Sequence, residues 1–263
     1  MTESRRQQLA RLVGDRGFVR VTDAADELGV SVVTIRGDLA ALERRGAVVR
    51  VHGGAMPPAA FRESSLEASL DRDAAAKRAI GRAAAGMVSS GESLYVDAGS
   101  TALAMAESLV ERGDLHDLVV VTSGLTIALA LEPAVPRFTV IVTGGTLRPL
   151  QHSLVNPFAA PMLDALRLDA AFIGCNGIHY EAGVTNRNLP DAEIKTRVID
   201  RASRSILVAD ASKLGRTDLA LIAPLGRFET LVTAGVADQR ELEALTATGV
   251  AVVVADGAPA RHG

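Results

Sequence analysis

The chain has 263 residues, 48% hydrophobic and 22% charged, with a mean hydropathy of +0.21 and a formal net charge of −3. That apolar fraction excludes a disordered chain, and the length suits one large domain or two modest ones. A single cysteine, Cys175, excludes a disulfide framework or a cysteine-built zinc site and fits a reducing compartment. The first residues form a charged amphipathic stretch without an apolar run, so no signal peptide is expected. The most apolar window, 118–131, is interrupted by Thr122, Ser123, Gly124 and Thr126 and is too short to span a bilayer. A cytoplasmic protein is the expectation.

Charge is unevenly divided. Residues 1–56 hold nine arginines, no lysine and seven acidic residues, a balance of +2, whereas the remainder has 19 basic and 24 acidic residues, a balance of −5. A basic head on an acidic body points to a polyanionic partner for the head alone.

In chain order, Leu9, Leu12 and Val13 share one face of a first helix. Phe18-Val19-Arg20-Val21 is a short β-like run, and a second helix begins at Thr22 and breaks at Gly29. Ser31 is a good N-cap for a third helix that runs to about Arg45 and stops at Gly46. Val48-Val49-Arg50-Val51 and His52-Gly53-Gly54 follow as a β-ribbon. This order is that of a winged helix-turn-helix. Projected at 100° per residue, Ile35, Leu39 and Leu42 of the third helix face the core. Val33, Gly37, Ala40 and Arg44 lie opposite, and Thr34 and Arg36 sit on the flanks. Small and hydrogen-bonding side chains near Ser31 suit approach to base edges in a major groove, and Arg44, Arg45, Arg50 and His52 suit phosphate contacts. A solvated arginine-rich surface accounts for the same spacing.

Met56-Pro57-Pro58-Ala59-Ala60 reads as a linker, and from Leu66 to Met87 the pattern is helical and alanine-rich. Beyond it, strand-like runs at 93–96, 118–122, 138–143, 170–173, 205–209, 231–233 and 250–254 alternate with helical stretches. The expectation is a mostly parallel sheet covered on both faces. The division expected is a head over 1–56, a linker over 57–72, and an α/β domain over 73–263 for effector binding and oligomerisation.

Ligands of such sheets sit outside the carboxyl ends of the strands. Four of these ends carry small polar residues and glycines: Asp97-Ala98-Gly99-Ser100-Thr101, Thr122-Ser123-Gly124, Gly144-Gly145-Thr146 and Asp210-Ala211-Ser212-Lys213. Glycine permits close backbone approach, and a helix N-terminus favours an anion, so a phosphate is the natural guest, with Asp97 or Asp210 holding sugar hydroxyls. Lys195 and Lys213 are two of only three lysines and are candidate phosphate or carbonyl partners, with a salt bridge as the bland alternative. No phosphate-binding P-loop and no Gly-x-Gly-x-x-Gly turn follows a strand, and the five histidines lack metal-ligand spacing, so neither cofactor nor metal is expected.

Ser31-Val-Val-Thr-Ile-Arg-Gly-Asp-Leu39, Leu42-Glu-Arg-Arg-Gly46 and Arg50-Val-His-Gly-Gly54 together resemble the DNA-binding head of the DeoR family of bacterial transcriptional regulators. The body is similar to that family's effector domain at Asp97-Ala-Gly-Ser-Thr101, Val121-Thr-Ser-Gly124, Thr143-Gly-Gly-Thr-Leu-Arg148, Gly183-Val-Thr185, Asp191-Ala-Glu-Ile-Lys195 and Ala209-Asp-Ala-Ser-Lys-Leu-Gly215. The resemblance implies an N-terminal winged helix-turn-helix followed by a Rossmann-like α/β domain similar to ribose-5-phosphate isomerase. It further implies a repressor of a sugar or polyol catabolic operon, released from double-stranded operator DNA by a phosphorylated sugar. Because a head with a balance of only +2 binds weakly as a single copy, a homo-oligomer, a dimer or tetramer, that pairs the heads is expected. Carried across, Thr34 and Arg36 read DNA, and Asp97, Ser100, Thr101, Ser123, Gly124, Gly145, Lys195 and Lys213 line the effector pocket. Gly37 departs from the family, which usually has a second basic residue there, and Asn156 stands where the family often has glycine. The competing reading is a sugar-phosphate isomerase-like enzyme with an accessory DNA-binding head, using Asp97, Lys195 and Lys213.

Overall fold

The computed structural model describes residues 2–16, 18–51, 53–56 and 64–255. His52 and most of the proline linker, 57–60, lie outside the described residues. In the head, α1 (Thr2–Arg16), β1 (Val19–Arg20), α2 (Val21–Glu27) and α3 (Val32–Arg44) precede a ribbon of β2 (Val49–Val51) and β3 (Gly54–Met56). The three short strands form an antiparallel sheet in the order β1-β3-β2. Leu9 and Val13 of α1, Ala24 of α2, Ile35 and Leu39 of α3 and Val48 close one small core. This is the winged helix-turn-helix that the sequence predicts.

Two helices, α4 (Leu66–Leu70) and α5 (Ala74–Ala85), lead into the body. Its strands and helices then alternate: β4 (Ser93–Val96), α6 (Ser100–Glu111), β5 (Leu118–Thr122), α7 (Leu125–Leu131) and β6 (Phe138–Val142). A hairpin of β7 (Thr146–Arg148) and β8 (Ser153–Val155) precedes α8 (Ala159–Asp164) and β9 (Leu168–Ile173). There follow β10 (Gly177–His179), β11 (Gly183–Asn186), α9 (Leu189–Arg201), β12 (Ala202–Val208), β13 (Ala220–Ala223), β14 (Thr230–Thr233), α10 (Gln239–Thr246) and β15 (Ala251–Val254).

The seven strand-like runs of the sequence become one sheet with every pairing parallel, in the order β15-β14-β12-β9-β4-β5-β6. Its central strands are apolar on both sides because both sides are covered. Leu94, Val96, Phe172, Ile206 and Val208 pack under α5, α6 and α7, while Tyr95, Ala171, Ile173 and Leu207 pack under α8 and α9. Gly81 lets α5 close on α6: a Cβ there would sit 2.5 Å from the Ala104 carbonyl. The chain leaves β4 toward β5 and β6, and leaves β9 the other way, toward β12. The sheet therefore has its switch point between β4 and β9, and a crevice opens beyond their carboxyl ends. Two small antiparallel sheets, β7-β8 and β10-β11-β13, flank that crevice; the sequence pattern did not separate them from loops. No helix among the described residues is long and apolar enough to cross a membrane.

Candidate functional site

Asp97 follows β4 and Gly174 follows β9, so the switch point brings them side by side. The Asp97 carboxylate accepts the Ala98 N–H at 2.8 Å and the Gly174 N–H at 2.8 Å, and pairs with the Lys195 ammonium at 2.9 Å. Lys195 also donates to the Gly174 carbonyl at 3.0 Å and meets Asp191, one helical turn before it on α9, at 3.1 Å. Asp191 in turn receives Arg148 at 2.7 Å and the Asn186 amide at 2.7 Å. Asp97 and Lys195 are 0% and 4% exposed. Burial opposes the charge of Lys195, but Asp191 and Asp97 outweigh it and raise its pKa above the ordinary lysine value. Burial likewise works against ionised Asp191, yet Lys195 and Arg148 hold its carboxyl below the usual range. Burial dominates at Asp97, whose pKa lies above the ordinary one. Two cations and two carboxylates therefore form a buried, ion-paired floor, and the salt-bridge reading of Lys195 is the one the geometry shows.

Above this floor the pocket is cationic. Its wall carries Arg72, Lys77, Arg187, Lys213 and Arg216 against Asp73 and Asp210. Arg187 is paired with Asp218 at 3.1 Å. Among the described residues no carboxylate forms an ion pair with Arg72, Lys213 or Arg216. Asp210 is buried and accepts the Ser212 N–H at 3.0 Å, which shapes the tight turn presenting Lys213. Gly99, at φ 113°, turns the chain from Asp97 into α6, whose first residues Ser100 and Thr101 open on to the pocket with their free backbone donors. Cys175 also lines it, half-buried; burial pushes its thiol up to about 12.

Of the residues predicted for the effector, Gly99, Ser100, Thr101, Lys195, Asp210 and Lys213 line the pocket, and Asp97 lies directly beneath it. Thr122, Ser123, Gly124, Gly144 and Gly145 do not. Thr122 and Ser123 are fully buried, and the Ser123 hydroxyl pairs with Tyr95 at 3.0 Å. Gly124 packs on Ala98, Gly144 lies under Phe158, and Gly145 (φ 145°) faces the Val155 carbonyl too closely for any Cβ. These loops hold the β7-β8 hairpin: the Ser123 carbonyl accepts from Leu154 at 2.8 Å, and the hairpin places Arg148. Arg148, Asn186, Arg72 and Lys77 escape sequence reasoning. The spacing of Asp191 to Lys195, i to i+4 on a helix, was the readable sign of the floor.

On the head, Ser31 caps α3 by accepting the Thr34 N–H at 3.2 Å, and its hydroxyl meets that of Thr34 at 2.9 Å. Ile35, Leu39 and Leu42 are buried, whereas Val33 is 76% exposed and Arg36, Gly37 and Arg44 also face outward. Thr34 is half-buried. Arg45 and Arg50 are exposed but engaged, with Glu3 at 2.5 Å and Glu43 at 3.7 Å.

The DeoR-like helix-turn-helix domain matches residues 5–59 and the DeoR C terminal sensor domain matches residues 72–234. The HTH-type transcriptional regulator GlpR of Haloferax volcanii is 33% identical over 250 residues, 95% of this chain and 96% of its own. The lactose phosphotransferase system repressor of Staphylococcus aureus strain N315 is 29% identical over 244 residues, covering 92% and 95%. Likeness to solved structures is distant: ribose 5 phosphate isomerase A from Neisseria gonorrhoeae shares 15% identity over 52% of each chain at a TM-score of 0.39. The sequence relatives are regulators, not enzymes. With a helix-turn-helix head and a sensor body matched in that order along one chain, this protein belongs to the DeoR family of DNA-binding transcriptional regulators.

Proposed function

We propose that this regulator represses an operon for sugar or polyol catabolism and is released from its operator by a phosphorylated sugar bound at the β4/β9 crevice. The observation that carries this reading is the contrast inside the pocket. The floor is an internally neutralised cluster, while Arg72, Lys77 and Lys213 bring positive charge to the wall of a protein whose net charge is −3. A phosphate suits that wall, and the amide and carboxylate groups of Asn176, Asn186 and Asp210 suit sugar hydroxyls. On the DNA side, Val33, Thr34, Arg36 and Gly37 approach base edges, and Ser31, Arg44, Arg45, Arg50 and His52 serve the backbone.

The proposed division is a reading head over 1–56, a connection over 57–72 and a sensing and assembling body over 73–263. A head with a balance of only +2 binds weakly as a single copy, so the body is proposed to oligomerise and pair two heads on successive half-sites.

The test is a thermal-shift panel of sugar phosphates, unphosphorylated sugars and inorganic phosphate, followed by operator binding with each ligand that binds. One sugar phosphate is expected to raise Tm beyond phosphate alone and to release DNA. A panel in which no phosphorylated compound raises Tm, or in which binding leaves operator affinity unchanged, overturns the reading.

A further inference from the structure

A short stretch of chain that leads from the head into the body also roofs the pocket. Residues 64–72 carry α4, which starts where Ser65 accepts the Ala68 N–H at 3.2 Å and where Leu66 is buried at 2% exposure. This strap is pinned at its front to the loop after β7. The Leu66 N–H donates to the Leu150 carbonyl at 2.7 Å, the Gln151 amide donates to the Ser64 carbonyl, and Glu67 meets His152 at 2.7 Å. At its rear the Lys77 ammonium holds the carbonyls of Ser69 and Arg72. Ser64, Ser69 and Arg72 face the pocket.

Lys77 is 6% exposed, and no carboxylate forms an ion pair with it among the described residues. Burial lowers its pKa; the charges of Asp210 and Asp73 work against that shift, and those of Lys213 and Arg72 work with it. An anion seated among Arg72, Lys77 and Lys213 removes that repulsion and ties one strap residue to two body residues.

We propose that the strap is the element through which pocket occupancy reaches the DNA-binding head: a bound phosphate clamps residues 64–72 on to the body, and loss of the phosphate frees them. This rests on the effector reading above. Its consequence is one of reach. With the strap docked, residues 57–63 join head to body, and seven residues span at most about 25 Å. With the strap undocked as far as Arg72, sixteen residues, 57–72, span at most about 55 Å. Docking therefore shortens the tether of each head from about 55 Å to about 25 Å, which narrows the placements that paired heads can take on half-sites about 34 Å apart. The ligand shifts this balance by the difference between its affinities for the docked and undocked states.

Two measurements on the full chain test the strap. Hydrogen exchange is followed at residues 64–72, with inorganic phosphate as the probe at a concentration that raises Tm. Exchange is expected to slow by about fivefold or more. A rise in Tm with strap exchange unchanged overturns the proposal and leaves the effector reading standing. If neither phosphate nor any sugar phosphate raises Tm, the effector reading falls, and the clamp proposed here falls with it. In the second arm, Glu67→Cys and His152→Cys, two exposed positions outside the pocket lining, are joined by a short bifunctional thiol reagent. The linked protein is expected to bind a duplex selected from a random pool about tenfold more weakly than the same variant treated with a monofunctional reagent. Equal affinity of the two forms overturns the strap as the transmitting element.

Discussion

The Lys195 ammonium sits 2.9 Å from Asp97 and 3.1 Å from Asp191, and among the described residues it is the only side chain that bonds both carboxylates at the switch point of the sheet. Each carboxylate has further partners, but they are not shared: Gly174 and Ala98 serve Asp97, while Arg148 and Asn186 serve Asp191. Removing the lysine therefore leaves two buried negative charges with a deficit of one cation. Lys195→Met is expected to cost about 3–5 kcal/mol, a fall in Tm of about 10 °C. Asp97→Asn placed on the same chain recovers part of that loss, because it removes one of the orphaned charges.

The same cluster sets a pH dependence with a definite sign. Without Lys195, a proton is held more tightly at the facing carboxylates when folded than when unfolded. A folded pKa raised above the unfolded one means that stability falls as pH rises through the window between the two. The deficit of Lys195→Met relative to the parent protein is thus smaller at pH 5 than at pH 8. Melting curves of both proteins across that range check it; a deficit constant with pH refutes it.

A second buried charge holds the head together. Asp38 on α3 is 2% exposed and receives Arg5 at 2.6 Å and Arg6 at 2.8 Å from α1. Burial would raise its pKa, but the hydrogen bonds from the two arginines prevail and hold it below the usual carboxylate range. A depressed folded pKa contributes stability that is present above the unfolded value, about 4, and is lost as pH falls through the folded one. Asp38→Asn is expected to destabilise the head by about 1–3 kcal/mol at neutral pH and to flatten its acid unfolding. Loss of DNA binding on acidification, read beside the body's thermal response to sugar phosphates in the same sample, locates the effect in the head. The body's response to sugar phosphates stays intact.

The seven core strands were legible because buried parallel strands are short apolar runs, and Ser93–Val96 or Phe138–Val142 announce themselves without any tertiary context. The short antiparallel strands of the body were not. Thr146–Arg148 and Ser153–Val155 are three residues each and pair through backbone groups that leave no periodicity to read. The pocket divided in the same way. Asp97, Ser100 and Lys213 are visible because they sit at strand ends, where local sequence says loop and glycine. Arg148, Arg72 and Lys77 reach the site from the hairpin, the strap and α5, so their role depends on contacts made far along the chain. Conversely, Ser123 and Gly145 look like ligand residues locally, yet serve to dock the hairpin, and the Thr122 hydroxyl is taken up by the Gly124 N–H at 3.0 Å. Asp38 reads as a polar helix residue until α1 is folded across it.

Arg36 and Arg44 separate reading from holding. Both project from α3, and no acidic partner engages either among the described residues. Arg36→Ala is expected to lose about 1–3 kcal/mol on its preferred operator and to relax the preference at one base position. Arg44→Ala weakens all sequences alike and lowers the slope of log Kd against log salt by about one phosphate contact. Titrations on operator and scrambled duplexes at several salt concentrations distinguish the two. Equal losses on both duplexes for Arg36→Ala remove it from base readout.

Gly37 is the exposed position on α3 that carries no side chain, one residue after Arg36. A Cβ there meets nothing within 4 Å, and its backbone is not in the left-handed region. Nothing in the fold therefore requires glycine, while its freedom in the unfolded chain weakens the helix by about 1 kcal/mol relative to alanine. Gly37→Ala is expected to raise the stability of the head by up to that amount. Gly37→Arg adds the same backbone gain and a cation beside Arg36, so affinity rises on every duplex and the salt slope steepens by about one. A steeper slope without the alanine gain separates the charge from the helix. Stabilisation by neither variant refutes the open-space argument, because a side chain at position 37 would then be meeting an obstacle that the structure does not contain.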